Sequence, residues 1–146
     1  SRLDALGEPD AREEVDLLAL AAEEAARDGG DDTDVSGQAV TVRGDPRLLR
    51  RLVRNLIDNA RRHGAPPIVI TVEAREGRAL LAVADTGPGI AEAERERIFE
   101  PFRRGAGSGS GGTGLGLALV RQIARRHGGE ARVAASGSAI EVTIPR

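Results

Sequence analysis

At 146 residues with 40% hydrophobic content, the chain has material for one domain with a single core of ordinary size. A net charge of −2 gives no electrostatic reason to expect nucleic acid. The absence of cysteine excludes disulfides and thiolate metal sites and fits a reducing compartment.

Lysine is absent too, so a Walker-A lysine, a protein-kinase strand lysine and a Schiff-base lysine are all excluded. Any phosphate site must use arginine, backbone N–H groups or a metal. Phe99 and Phe102 are the only aromatics, which leaves the core to aliphatic residues and alanine. No apolar run approaches the roughly 18–20 residues of a membrane span, and the opening residues carry no signal-peptide pattern.

Residues 1–8 read as the tail of a preceding element, broken at Gly7 and Pro9, with one domain over 9–146. Glu13 to Arg27 predicts a helix with an apolar side, stopped at Gly29-Gly30. Asp28 to Asp34 reads as an acidic turn and Val40 to Arg43 as a short strand. Asp45-Pro46 is a helix start, with aspartate as N-cap and proline at the first helical position. That helix is predicted to run to His63 and to end at Gly64.

Ile68 to Glu73 and Ala79 to Ala84 alternate as strands around a turn at Arg75 to Arg78. Asp85 to Ile90 is a glycine loop, and Ala91 to Phe99 predicts a short charged helix. Arg103 to Thr113 has no periodic pattern. Its dense glycine inside a small domain suggests a mobile lid, disordered when the site is empty. Leu115 to His127 is an amphipathic helix ended by Gly128-Gly129, and Ala131 to Ala134 and Ala139 to Ile144 are the closing strands. Hairpin-like strand pairs between helices predict an α+β two-layer sandwich: a mixed, largely antiparallel sheet with helices on one face.

Four segments could carry chemistry. Asn55, Asn59 and His63 step by four along one line of the long helix, with Arg62 beside them. An amide there could ligate Mg²⁺ and Arg62 could meet a phosphate, or these could be boundary residues bonded to nearby backbone. In Asp85-Thr86-Gly87-Pro88-Gly89-Ile90 the aspartate could accept from an exocyclic amine, while Gly87 and Gly89 admit a flat ligand close to the backbone. The same residues also make an ordinary turn. Gly112 to Leu117 leads a glycine stretch into a helix N-terminus, a geometry suited to phosphate, although neither a Rossmann fingerprint nor a P-loop is present. Phe99-Glu100-Pro101-Phe102 places the two aromatics beside that stretch, as a loop anchor or a lid hinge.

Taken in order, these pieces resemble the histidine-kinase ATPase family. Asn55-Leu56-Ile57-Asp58-Asn59-Ala60 looks like its N box and Asp85-Thr86-Gly87-Pro88-Gly89 like its first glycine box. Phe99-Glu100-Pro101-Phe102 looks like its F box and Gly112-Thr113-Gly114-Leu115-Gly116-Leu117 like its second glycine box. The resemblance covers Gly44 to the C-terminus and implies the Bergerat fold, with ATP and Mg²⁺ as cofactors.

It further implies Asn59 as the Mg²⁺ ligand and Asp85 as partner of the adenine amine, with Gly87, Gly89 and Ile90 beside the base. Arg62 stands where the family usually has lysine near the phosphates, and His63 where an aromatic often packs on adenine. Phe102 and Arg104 belong to the F box and the basic position after it. Gly112, Thr113, Gly114, Leu115, Gly116 and Leu117 face the phosphates. Gyrase-like and serine-kinase relatives usually carry a carboxylate general base at the position of Asn55. Asn55, with Arg62 and Arg104 as the catalytic set, therefore points to a histidine acceptor.

Residues 1–6 resemble the end of a dimerisation helix, and no acceptor motif is present, so neither His63 nor His127 is expected to be phosphorylated. The resemblance implies a cytoplasmic catalytic domain of a membrane-anchored sensor. Its partners would be its own dimerisation domain and a response regulator, with no nucleic acid and no direct membrane contact. An anti-sigma-factor serine kinase and a degenerate partner-binding module are the alternative readings.

Overall fold

The computed structural model describes residues 12–27, 30–101 and 116–146. Among these, the order is β1 (Glu13–Asp16), α1 (Leu17–Ala26), β2 (Thr33–Gly37), β3 (Thr41–Gly44), α2 (Pro46–His63), β4 (Ile68–Arg75), β5 (Arg78–Ala84), α3 (Gly116–Arg126), β6 (Glu130–Val133) and β7 (Ala139–Pro145). Five strands form one sheet in the order β2-β4-β5-β7-β6. Its β2–β4 pair is parallel and the other pairs are antiparallel.

Alternation along β4, β5 and β7 sends Ile70, Val83 and Ile140 to one face as a cross-strand row, with Val72, Leu81, Val142 and Ala131 as the next. The three helices pack on that face, where Leu48, Leu49, Leu52, Val53 and Leu56 of α2 and Val120, Ile123 and Ala124 of α3 are buried. The opposite face holds the half-exposed Thr71, Glu73, Glu141 and Thr143 and the exposed Val69. The predicted two-layer, largely antiparallel sandwich is the fold observed.

Asp45 caps α2 as the sequence predicts: its Oδ1 accepts from the Arg47 N–H at 2.9 Å, and Pro46 opens the helix. The β4–β5 turn narrows to Glu76-Gly77, both at positive φ, the geometry of a tight hairpin.

Three expectations need correction. The first helix starts at Leu17 rather than Glu13, because Asp16 is its N-cap and accepts from the Ala19 N–H at 3.0 Å. Residues 13–16 instead pair with β3, putting Val15 beside Val42 in a separate two-stranded sheet. The acidic turn gives way at Thr33 to strand β2, which hydrophobic alternation could not reveal because it is mostly polar. It exists through its parallel ladder to β4. The charged helix at 91–99 is two short 3₁₀ turns, Glu92–Glu94 and Arg97–Phe99. Only Phe99 is buried there, and Pro101 holds Glu100 extended. Leu115–His127 is observed as Gly116–Arg126, with Leu115 outside the described residues, as are residues 1–11 and the proposed lid at 103–113.

Candidate functional site

An open cleft lies between the C-terminal half of α2, the loop after β5 and the β6–β7 hairpin. Leu56, Asn59, Ala60, His63 and Gly64 come from the α2 side, Val83, Asp85, Gly89 and Ile90 from β5 and its loop, and residues 137–140 from the hairpin. Its floor is apolar and its polar groups are few, the usual character of a small-molecule site.

Asp85 is the best-defined polar group. Its Oδ1 accepts from the Gly87 N–H at 2.7 Å and from the Ala65 N–H at 3.3 Å. Both bonds fall on one oxygen, so Oδ2 retains its capacity to accept from a ligand. The carboxylate is wedged between two glycines. A Cβ on Gly64 would collide with Asp85 Cγ and both carboxylate oxygens, and one on Gly87 would come within 2.9 Å of Oδ1. Thr86 completes the staple: its N–H donates to the Ala65 carbonyl, and its single O–H donates to that of Pro66 at 2.8 Å, with the Ala65 oxygen 3.2 Å from Oγ1. Strand β5 thus delivers Asp85 to the end of α2, and backbone bonds fix its orientation.

On the far wall, the Ile90 N–H donates to the Gly137 carbonyl at 2.8 Å, and the Asp85 N–H to that of Ser138 at 3.3 Å. Gly89 and Gly137 both have φ above +80°, which favours glycine at each.

Of the sequence-predicted residues, the fold brings Asn59, His63, Asp85, Gly89 and Ile90 around this cleft, with Gly87 buttressing Asp85. Arg62 is exposed on α2 and outside the cleft lining. Asn55 also lies outside it: its Nδ2 donates to the Gly116 carbonyl at 3.2 Å, fastening α2 to the first residue of α3. Leu117 is half-buried on α3, away from the cleft. Phe102, Arg104, Gly112, Thr113, Gly114 and Leu115 lie outside the described residues.

Sequence reasoning missed the hairpin wall. Its only signal was Ser136-Gly137-Ser138, which reads as a turn. From the sequence Gly64 reads as a helix stop alone. The φ of Gly64 is −112°, outside the left-handed region. Space for Asp85, rather than backbone freedom, demands glycine there.

Phe99 is buried beneath Arg121, whose guanidinium carbon stands 4.2 Å from the ring centroid. Arg121 also donates to Glu96 and to the Ala131 carbonyl, each at 3.2 Å, so the F-box end is tied to α3 and β6.

The cleft is largely apolar, with a backbone-held aspartate and a helix asparagine in its lining. A family model described as histidine kinase-, DNA gyrase B- and HSP90-like ATPase matches residues 44–146, and the chain belongs to that family. Within it, the relatives are sensor kinases. The chain is 41% identical over 122 residues to the sensor-type histidine kinase PrrB of Mycobacterium tuberculosis, covering 80% of this chain and 27% of that protein. It is 40% identical over 104 residues to the histidine-protein kinase/phosphatase MprB of a Mycobacterium species, covering 68% and 20%.

The chain therefore spans about a quarter of the length of these curated relatives. The solved ATP-binding domain of PrrB from Mycobacterium tuberculosis superposes with a TM-score of 0.73 at 35% identity, over 93% of this chain and 98% of that one. The mycobacterial sensor histidine kinase MprB superposes at 0.75 and 32%, over 92% and 97%. The chain is a histidine-kinase-type ATP-binding catalytic domain.

Proposed function

We propose that this domain binds ATP with Mg²⁺ and supports phosphoryl transfer to a histidine on a separate dimerisation domain, which then hands the group to a response regulator. The observation that carries the ATP site is Asp85, whose Oδ2 is left to accept from an exocyclic amine while Oδ1 is held by two backbone N–H groups. Val83, Ile90, Ala60 and Ile140 supply an apolar sleeve for a purine, and His63 offers a ring at the rim. The Asn59 amide oxygen is suited to Mg²⁺, a hard cation that takes oxygen ligands.

Bound ATP supplies the γ-phosphoryl group, and its Mg²⁺ neutralises charge on the phosphates. The chain's own part is positioning. Asp85 sets the base, Asn59 the metal end, and Arg62 and Arg104 supply cationic charge toward the phosphates. The resemblance assigns Gly112 to Leu117 to the phosphate end of the nucleotide. Residues 1–8 are assigned to the tail of the dimerisation helix and 9–146 to the domain. Relatives named as sensor histidine kinases favour this branch over a serine kinase, as does Asn55, which offers no carboxylate base. The domain would act on the cytoplasmic side of its parent sensor; no described helix is long and apolar enough to cross a membrane.

Calorimetric titration of the 146-residue chain with a non-hydrolysable ATP analogue, with and without Mg²⁺, tests this. Binding is expected, strengthened by Mg²⁺ and weakened in Asp85→Asn. A folded wild-type chain that leaves the analogue unbound would overturn the reading.

A further inference from the structure

Arg95 stands outside the cleft yet holds two of its walls. In the sequence it is one charge among five in Glu92 to Arg97, the pattern of a solvated surface. In the structure it is half-buried, and its guanidinium spans the gap between the glycine loop and the β6–β7 hairpin. Nε donates to the Ile90 carbonyl and Nη1 to the Ala135 carbonyl, each at 3.3 Å. A Cβ on Gly137 would sit 2.8 Å from Nη2, so the third nitrogen packs against the bare side of that glycine.

Ile90 is thereby gripped at both ends of its backbone: its N–H donates to Gly137 and its carbonyl accepts from Arg95. Ile90 and Gly137 both line the cleft, and they come from segments almost fifty residues apart. A planar fork reaches two carbonyls at once, whereas an ammonium is a single point charge on a flexible stem.

We propose that Arg95 is a positioning residue for the base pocket, clamping Ile90 to the hairpin and so setting the distance between two of its walls. This rests on the ATP reading above. The clamp belongs to the protein without ligand, so it can be examined with the site empty.

The experiment compares wild type, Arg95→Met and Arg95→Lys by amide hydrogen exchange of the ligand-free chain and by titration with the ATP analogue. In Arg95→Met, exchange at the Ile90 and Gly137 amides is expected to rise and affinity to fall, each roughly tenfold. The Ile70 amide, deep in β4, should keep its protection. Arg95→Lys, able to hold one carbonyl, should recover part of both effects. Unchanged exchange at Ile90 and Gly137 overturns the proposal, and so does undiminished affinity in a variant whose two amides have loosened. If Arg95→Met lowers protection at Ile70 as well, Arg95→Lys carries the same two readouts in a folded chain. A wild type that leaves the analogue unbound sinks the ATP reading instead, and the exchange rates at Ile90 and Gly137 then decide the clamp on their own.

Discussion

Gly64→Ala puts a methyl group where the Asp85 carboxylate now sits. Its φ of −112° is outside the left-handed region, and the nearest atoms a Cβ would meet are those of the carboxylate itself. One of two things must move. If the carboxylate swings aside, its bonds from Gly87 and Ala65 break, and Oδ2 no longer faces an exocyclic amine. A hydrogen bond to a charged group is worth about 1.5–3 kcal/mol, so nucleotide affinity should fall roughly ten- to hundredfold. If instead the end of α2 shifts, the overpacking should cost about 1–3 kcal/mol of stability and carry Asn59 and His63 with it. Calorimetric titration with the ATP analogue, alongside thermal unfolding, reads both. Asp85→Asn provides the comparison, because its amide oxygen can keep both backbone bonds while the charge is lost. The double variant should bind little worse than either single one, since both changes act through one carboxylate. A folded Gly64→Ala chain that binds as tightly as wild type would refute the reasoning.

Three further outcomes are expected. Asn55→Asp should weaken the α2–α3 contact by about 1–3 kcal/mol, because a carboxylate facing the Gly116 carbonyl sets acceptor against acceptor; unfolding of the variant at neutral pH measures it. Buried His127 accepts the Asp45 N–H at Nε2, which leaves its proton on Nδ1 to donate to the Ile123 carbonyl at 2.8 Å. His127→Leu should strand that buried N–H at a cost of about 1–3 kcal/mol, and a melting temperature equal to wild type would contradict this. Asp32 receives both Nε and Nη2 of Arg61 at 3.0 Å, and hydrogen bonds from Arg61 and then Thr33 hold its carboxyl below the ordinary aspartate value. A depressed folded value means that this contribution is present above the unfolded-state value, about 4, and is lost as pH falls through the folded one. Asp32→Asn should therefore flatten the acid limb of the stability curve. Parallel limbs for variant and wild type would count against the pairing.

What was legible in the sequence follows from which interactions are local. Asp45-Pro46 announces α2 because capping acts within three residues, and the apolar stripe of α2 needs only its own periodicity. Asp85 and Asn59 stand out because they sit in short motifs whose order is itself a signal, and His63 because it continues the line of Asn55 and Asn59; the fold brings all three to one cleft. Strands β1 and β2 were hidden because their partners are far along the chain and their own residues are largely charged or polar. Ile90 was found with its motif, whereas the hairpin wall that faces it was invisible: the bond from Ile90 to Gly137 spans nearly fifty residues. Gly64 is legible as a helix terminator, while the neighbour that leaves it no room for a side chain, Asp85, lies in the loop after β5.

The cleft owes its shape to contacts made away from it. At one end of the helix pair Asn55 binds Gly116; at the other His127 binds Asp45, and Gly44 is bare because a Cβ would come within 2.8 Å of that imidazole nitrogen. Between these polar fasteners the two helices meet through buried aliphatic residues. The directional hydrogen bonds add to that packing in holding α3 in a defined position along α2. Asn59 lies one turn beyond Asn55 on α2, and α3 begins at Gly116, the last glycine of the second glycine box. The Asn55 amide thus ties the proposed metal-binding helix to the proposed phosphate-binding one. Loss of the Asn55 contact should accordingly reach the phosphate end of the site, while loss of the Arg95 clamp should reach the base end.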